Sequence, residues 1–230
     1  MARKRPAEPD SDDDTHSDTS TAKTRVAPRF ARSGTVTVYV GVEKARYLVH
    51  EDILTSTCPF FEKCLQSGMR EQHERTVELP EDAPETFDVI VKWMYSGQVP
   101  ALLGPHIMRA YKLAEKLCML DLQNALVDAF KAVCRRERIS PITVMLTWKH
   151  LPENSELCKL ALKQLCYEIV KEPRNYMGTS SSFFGATQTG TLEGELKEML
   201  EEGGPLVSAF FSQYVDERKR PRSRLSDPSY

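Results

Sequence analysis

The sequence predicts an α+β fold: a small, mainly antiparallel sheet capped by helices and followed by an all-helical C-terminal extension. Two features of the residue pattern support this class. Between residues 35 and 49, apolar and polar side chains alternate with period two, as in half-buried strands. From residue 83 onward, apolar side chains recur three and four positions apart, which places them on one face of a helix. Strands that precede a run of helices are typical of α+β domains.

The predicted strands form a hairpin and one separate strand. Residues 35–40 carry three valines on one face: Val36, Val38 and Val40. A turn at Gly41 leads into a return strand at 46–49. Residues 76–80 form a third, short strand that stops at Pro80, because proline has no N–H to donate to a neighbouring strand.

Helices are predicted on both sides of the third strand. Two short ones, 50–56 and 58–65, precede it. A longer helix at 83–95 follows it and has Asp82 in a capping position. The inward face of this helix carries four apolar residues: Phe87, Ile90, Val91 and Met94. Two further helices meet at a tight turn near residue 120 and are therefore predicted to form an antiparallel hairpin.

Weaker helical patterns continue through a predicted extension at 136–215. Ile142 and Leu146 mark a short helix in it, and apolar residues recur at helical spacing across 154–170. Between residues 178 and 194, 11 of 17 residues are Gly, Ser or Thr, a composition that favours a flexible loop. A last pair of amphipathic segments follows this loop, and the preceding helices are the simplest surface for them to cover.

Both ends of the sequence, residues 1–32 and 216–230, are predicted to be disordered tails. The first has almost no large apolar side chains, so burial would not offset the entropy of folding it. Ser11, Thr15 and Ser17 lie among aspartates and are candidate phosphorylation sites, with a solvated tail as the alternative. Basic clusters in the two tails are candidate nuclear import signals, or simply solvated charge: Arg3, Lys4 and Arg5, and Arg218, Lys219 and Arg220.

Composition and charge argue against several classes of function. The 31 basic and 33 acidic side chains give a formal net charge of −2, so direct nucleic-acid binding is not expected. No stretch reaches the roughly 18 consecutive apolar residues of a membrane span, and the basic N-terminus lacks the apolar stretch of a secretory signal. The 6 cysteines are scattered, as is usual in a reducing compartment, so the nucleus or the cytoplasm is the expected location.

The sequence offers few of the motifs that an enzyme needs. It lacks a glycine-rich phosphate loop between a strand and a helix, and its cysteines do not pair at the spacing of a zinc site. A thiol nucleophile would require Cys58 or Cys64 to meet a base such as His50 or His73. Both cysteines lie among apolar residues, which favours inert, buried thiols. The sequence therefore predicts no catalytic residue, no metal and no cofactor.

The order of these elements, together with several short motifs, makes residues 33–135 resemble the BTB/POZ domain family. The matching segments are 36–41, 47–50, Cys58-Pro59-Phe60-Phe61, Leu79-Pro80-Glu81-Asp82, Trp93-Met94-Tyr95-Ser96-Gly97 and the helical hairpin at 110–125. Each motif alone is weak, but their combination in this order is specific. The pattern is most similar to the short, stand-alone BTB proteins of filamentous fungi, and it implies the BTB/POZ fold.

The resemblance implies a non-enzymatic protein–protein interaction module. Members of the family bind themselves, and many join a substrate to a cullin of the third class in a ubiquitin ligase. Their cullin contact commonly uses a hydrophobic-x-Glu motif, which corresponds here to Met69, Arg70 and Glu71. The alternative is that Met69 packs under the hairpin and that Glu71 is solvated. Helices after the domain extend the contact in cullin adaptors, so Ile142 and Leu146 are further candidate partner-binding residues.

A second function stays open, that of a nuclear scaffold that forms homodimers or heterodimers and is imported through its basic ends. Two positions differ from the family in this respect. Gly34-Thr35 stands where the family usually has an aspartate before the first strand. Residues 26–30, which include a proline and an arginine, match poorly the N-terminal strand that family members exchange between subunits. These differences argue against strand-swapped dimerisation.

Overall fold

A computed structural model describes residues 33–68, 70–177, 192–220 and 227–229. Its three strands are β1 (Thr35–Val40), β2 (Ala45–His50) and β3 (Thr76–Leu79), and β1 lies in the middle of the sheet. β1 pairs antiparallel with β2 and parallel with β3. The α+β class predicted from the sequence is confirmed, with a sheet that is mixed: one pairing is antiparallel and one is parallel.

The alternation in β1 has the predicted consequence. Val36, Val38 and Val40 are completely buried, and they point at the helices that cover one face of the sheet. Behind them, Phe61 and Phe87 are also completely buried and meet edge to face, with ring centroids 6.5 Å apart. Three helices contribute buried side chains to this part of the core: α1 (Glu51–Thr57), α2 (Pro59–Gln66) and α4 (Pro84–Ser96). The short helix α3 (Arg70–Glu74) lies between α2 and β3 and buries none of its side chains.

The turns at both ends of this unit depend on glycine. Gly41 has a φ of 76°, and a Cβ there would lie 3.3 Å from the carbonyl oxygen of Asp82 and from the ring of Pro84. Gly97 ends α4 in the left-handed conformation, with a φ of 68°. The predicted antiparallel hairpin follows, formed by α5 (Gly104–Lys116) and α6 (Leu120–Cys134), which pack against each other.

The extension contains five helices among its described residues, and α8 lies at its centre. Serines cap two of them, because Ser140 Oγ accepts from the N–H of Thr143 and Ser155 Oγ accepts from the N–H of Cys158. α8 packs against both α7 and α11, while α10 packs against α7 and α9. The five helices are α7 (Pro141–His150), α8 (Glu156–Lys171), α9 (Arg174–Met177), α10 (Leu192–Glu202) and α11 (Pro205–Lys219).

Several boundaries differ from the sequence prediction. α10 begins at Leu192, inside the segment predicted as a flexible loop, and α11 continues to Lys219, four residues into the predicted tail. Asp82 does not cap α4, since Ala83 is the N-cap residue and Asp82 accepts instead from Lys116 Nζ at 2.7 Å. A polar residue near the start of a helix can either cap the helix or pair with another side chain. Here the fold places Lys116 beside Asp82, and Asp82 pairs with it.

Several predictions concern residues outside the described ranges. They are the N-terminal tail 1–32, with its candidate phosphorylation sites and the cluster Arg3, Lys4 and Arg5. Most of the loop 178–194, Met69 and residues 221–226 also lie outside these ranges. Asp227–Ser229 is described, and Ser229 is completely buried against the extension, which differs from the fully disordered tail that the sequence predicts.

Candidate partner-binding surface

Helix α2 separates two surface grooves. The first groove, of about 270 Å³, lies between α2, α3 and β3 and is lined by Phe60, Cys64 and Glu71 among others. The second groove, of about 260 Å³, lies between the start of α2 and the turn that joins α5 to α6, where Pro59, Glu62 and Leu120 contribute. We call the surface formed by Pro59, Phe60, Glu62, Glu71 and Leu120 the α2 face.

The first groove contains two of the three residues of the predicted hydrophobic-x-Glu motif. Arg70 is exposed and ion-paired with Glu74, whose carboxylate lies 2.7 Å from Arg70 Nε and raises the pKa of that guanidinium. Glu71 is half-buried, and burial, followed by the negative charge of Glu71, raises the pKa of the Cys64 thiol. The carboxylate of Glu71 is thus held inside the groove, whereas Arg70 is engaged by its own helix.

The second groove has an apolar residue that the sequence analysis did not single out. Leu120 is 66 % exposed although it is the first residue of α6. The backbone turn before it, with Cys118 at a φ of 57°, orients Leu120 outward while Leu117 and Met119 are buried. Apolar periodicity could not distinguish Leu120 from its buried neighbours, because three of the four residues in this turn are large and apolar.

Two further candidate residues, Ile142 and Leu146, lie one turn apart on α7. Both are half-buried, while Pro141, Val144 and Thr147 form the buried face of the helix. α7 packs mainly against α5, α8 and α10. Ile142 and Leu146 therefore form a separate patch on the extension, and their role in partner binding stays a prediction.

The thiols near α2 are poor nucleophiles. Cys58 is 1 % exposed and donates from Sγ to the carbonyl oxygen of Leu117 at 3.3 Å. Its burial raises the pKa of the thiol to about 11, and burial also raises the pKa of Cys64. The expected base has another partner, because His50 Nδ1 lies 2.8 Å from the hydroxyl of Tyr95. A thiolate is therefore scarce at neutral pH in this region.

The basic residues at the end of α11 differ from one another. Arg218 and Lys219 are exposed in the last helical turn. Arg220 follows the helix and lies 3.2 Å from the carboxylate of Glu217, which is itself buried. All three residues of the predicted import cluster are thus exposed, and Arg220 is in addition ion-paired with Glu217.

The described part of the chain contains neither a metal-binding cluster nor a membrane-spanning helix. Within residues 33–68, 70–177, 192–220 and 227–229, no three His, Cys, Asp or Glu side chains lie close enough together to hold a metal ion. Across the same ranges, every helix is too short or too polar to cross a bilayer.

Residues 29–132 match the family model of the BTB/POZ domain. Among curated proteins, BTB/POZ domain-containing protein 9 is 36 % identical in rat and 22 % identical in human, each over 160 residues that make up 68 % of this chain and 25 % of the relative. Human Kelch repeat and BTB domain-containing protein 7 is 26 % identical over 97 residues, which are 42 % of this chain and 14 % of the relative. This chain spans about a quarter or less of the length of these relatives.

Among solved structures, the BTB domain of human gigaxonin is similar to this chain. It is 18 % identical, has a TM-score of 0.36, and the match covers 42 % of this chain and 77 % of that domain.

Proposed function

Because residues 29–132 form a BTB/POZ domain, a protein-interaction fold, we propose that this protein is a non-enzymatic adaptor that binds a cullin of the third class through its α2 face. The observation that carries the proposal is the composition of that face. An exposed leucine and a half-buried phenylalanine lie on opposite sides of α2, with carboxylates beside them.

Such an arrangement is suited to a protein partner. Leu120 and Phe60 offer apolar area that a partner can cover, and the covering side chains would also exclude water from Glu71. A carboxylate that is already half-buried loses less hydration when a partner docks, so a cation or an N–H group of the partner gains more from it. The α2 face therefore combines apolar anchors with one charged group that can specify the partner.

The proposal of a cullin depends on the family resemblance. The hydrophobic-x-Glu motif of cullin-binding members corresponds to 69–71, and Glu71 lies in the first groove beside Cys64. In adaptors of the family the contact continues onto the helices that follow the domain, for which Ile142 and Leu146 of α7 supply half-buried apolar side chains. The client would be carried by another part of the protein or by a second chain.

The test is the affinity of the full chain for the N-terminal domain of such a cullin, measured by titration calorimetry. Leu120→Asp places a charge in the second groove and is expected to weaken binding at least ~10-fold, since it removes an apolar anchor. Leu103→Asp is the matched control, because Leu103 is 59 % exposed against 66 % for Leu120 and lies outside both grooves. Leu103→Asp should retain the wild-type affinity.

Glu71→Arg tests the charged part of the face in the same titration. It reverses the charge inside the first groove and is expected to weaken binding by a similar factor, whereas Glu43→Arg, on an exposed turn residue between β1 and β2, should not. A wild-type chain that shows no binding at tens of times a typical ~1 μM affinity would contradict the adaptor function. An equal loss of cullin affinity in the variants and in their controls would contradict the placement of the cullin-binding site on the α2 face.

The alternative is a nuclear scaffold that dimerises or binds other regulatory proteins. It is favoured by the exposure of Arg218 and Lys219 at the end of α11. Replacing both residues by alanine in a fluorescent fusion should shift the protein from the nucleus to the cytoplasm if the cluster directs import. An unchanged distribution, with the N-terminal cluster Arg3, Lys4 and Arg5 also replaced, would contradict import through the basic ends.

A further inference from the structure

A cavity in the helical extension lies away from the α2 face. It has a volume of about 590 Å³ and lies between the segment 135–138 that follows α6, the second half of α8, and α9, with contributions from Leu192 and Asp227. Volumes of this size are usual for sites that bind a small molecule or a short peptide segment. Most of its walls are polar, which distinguishes it from a packing defect in an apolar core.

One side of this cavity is formed by a C-terminal segment of the chain. Asp227 lines the cavity, and Ser229, two residues further on, is completely buried. The guanidinium of Arg135 donates from Nη2 to the carbonyl oxygen of Ser229. The carboxylate of Asp227 accepts from both the N–H and the hydroxyl of Ser229, at 2.9 and 2.7 Å, which folds the three residues into a tight turn.

The charges around the cavity match this segment. Its wall carries four basic residues, Arg135, Arg136, Arg138 and Lys171, and three acidic residues, Glu137, Glu168 and Glu172. Within the wall, Arg138 Nη2 forms an ion pair with the carboxylate of Glu172 at 3.1 Å. Asp227 brings the fourth negative charge and balances the wall, so an acidic segment is favoured over a basic one.

The wall also contains a polar atom that is not satisfied. Gln164 is 1 % exposed and donates from Nε2 to Glu168, but its Oε1 atom has no hydrogen-bond partner among the described residues. A buried acceptor without a partner destabilises the folded protein. A ligand that brings an N–H or O–H donor into the cavity would relieve this destabilisation, which indicates a binding site that Asp227–Ser229 fills incompletely.

We propose that this cavity is a peptide-binding site for a segment with the chemistry Asp-Pro-Ser, and that residues 227–229 occupy it in cis until such a segment of another protein displaces them. The inference goes beyond the adaptor function and uses a different surface, so each can fail without the other. Only six residues separate Arg220 from Asp227, so the effective concentration of the cis segment is of the order of millimolar. A free peptide must compete with it.

The test is the binding of a fluorescent peptide with the sequence of residues 225–230 to the full chain, measured by anisotropy. The double variant Asp227→Ala, Ser229→Lys removes the turn and places a charged side chain where a serine is buried, which releases the cis segment. The peptide should bind this variant at least ~10-fold more tightly than it binds the wild type, because competition is lost. A peptide of the same composition in scrambled order should bind neither protein.

A third substitution tests the position of the site. Arg135→Ala, added to the double variant, removes the donor to the peptide carbonyl. It should reverse most of the increase in peptide affinity. Arg109→Ala, on the exposed side of α5, is the matched control and should leave the gain intact. Thermal unfolding of each variant checks the fold. If Arg135→Ala unfolds, Arg135→Lys replaces it, because lysine keeps the charge but lacks the two-pronged geometry of the guanidinium. Arg135→Lys in the double variant should weaken peptide binding at least ~3-fold.

Two results would overturn the proposal. Equal, weak binding to the wild type and to the double variant would mean that the cavity does not bind the segment. Tight binding that persists in the Arg135 variants would place the peptide elsewhere.

Discussion

The BTB/POZ domain and the helical extension bury different kinds of side chain. The core of the domain is filled by aliphatic and aromatic residues, such as the three valines of β1 and the pair Phe61 and Phe87. The buried polar and charged residues found in the described part of the chain all lie after the domain: Thr147, Gln164, Glu217 and Ser229. Among the described residues, the core of the domain thus consists of apolar side chains, whereas the core of the extension also contains polar side chains that need hydrogen-bond partners.

This difference determines how each region responds to mutation. In an apolar core, the loss in free energy of unfolding depends on the side-chain volume that the mutation removes. In a region with buried polar groups, the loss depends on whether the group that has lost its partner can form another hydrogen bond. Three substitutions, in order of decreasing effect, test this contrast.

The largest effect is expected for Phe61→Ala in the domain. Phe61 is completely buried and touches both Phe60 and Phe87, so its loss leaves a cavity that rigid neighbours cannot fill. The free energy of unfolding should fall by about 3–5 kcal/mol, as measured by urea denaturation. Phe211→Ala, at a phenylalanine that is 53 % exposed, should change it by less than about 0.5 kcal/mol. Similar losses for both would contradict a single core centred on these rings.

A smaller effect is expected for Tyr176→Phe in the extension. The hydroxyl of Tyr176 lies within hydrogen-bond distance of the carboxylate of Glu168 and of the carbonyl oxygen of Ile139, at 3.0 Å for the latter. Removing it takes a hydrogen-bond donor from these two acceptors and should cost about 1–3 kcal/mol in the same denaturation assay. For the hydroxyl of Tyr214, no such bond occurs among the described residues, so Tyr214→Phe is the control. If Tyr176→Phe left the free energy of unfolding unchanged, this hydroxyl would not be required for stability.

The smallest effect is a pH dependence that comes from Glu168. Burial raises the pKa of its carboxyl, although Tyr176, Gln164 and the N–H of Ile139 bond to it and oppose the rise, and Asp227 adds to it. A carboxyl with a raised pKa in the folded protein binds more protons than it does when unfolded. Its contribution to stability is therefore greatest at acidic pH, and it is lost as the pH rises through the raised pKa.

Glu168→Gln removes this titration. The difference in free energy of unfolding between the variant and the wild type should grow in favour of the variant as the pH is raised from 4 to 7. A difference that is constant with pH, or that changes in the opposite direction, would contradict a raised pKa. The neighbouring Cys134 does not interfere, because burial raises its pKa to about 12, above the range measured.

The contrast between the two regions also explains what could be predicted from the sequence. Alternation placed the valines of β1 correctly, and helical spacing identified Phe87, Ile90 and Met94 as buried, because apolar periodicity directly reports which side faces a core. The parallel pairing of β1 with β3 could not be read in this way, since both partners of a pair show the same alternation.

In the extension, apolar spacing was a weaker guide. On α7, Ile142 and Leu146 correctly marked a helix, but the spacing did not reveal that Pro141, Val144 and Thr147 form its buried face. Thr147 can be buried because its hydroxyl donates to the carbonyl oxygen of Thr143 at 2.6 Å, a bond within one helical turn that hydrophobicity does not reveal. The cavity beside Arg135 and the exposed Leu120 were missed for a related reason, since each depends on how separate elements meet.

The measurement that tests the central claim most directly is hydrogen–deuterium exchange of the full chain with and without the N-terminal domain of a third-class cullin. An adaptor that uses its α2 face should show slower exchange in α2 and at the turn between α5 and α6, with β2 unchanged. Protection that is absent at saturating cullin, or that is confined to elements outside the α2 face and α7, would contradict the account.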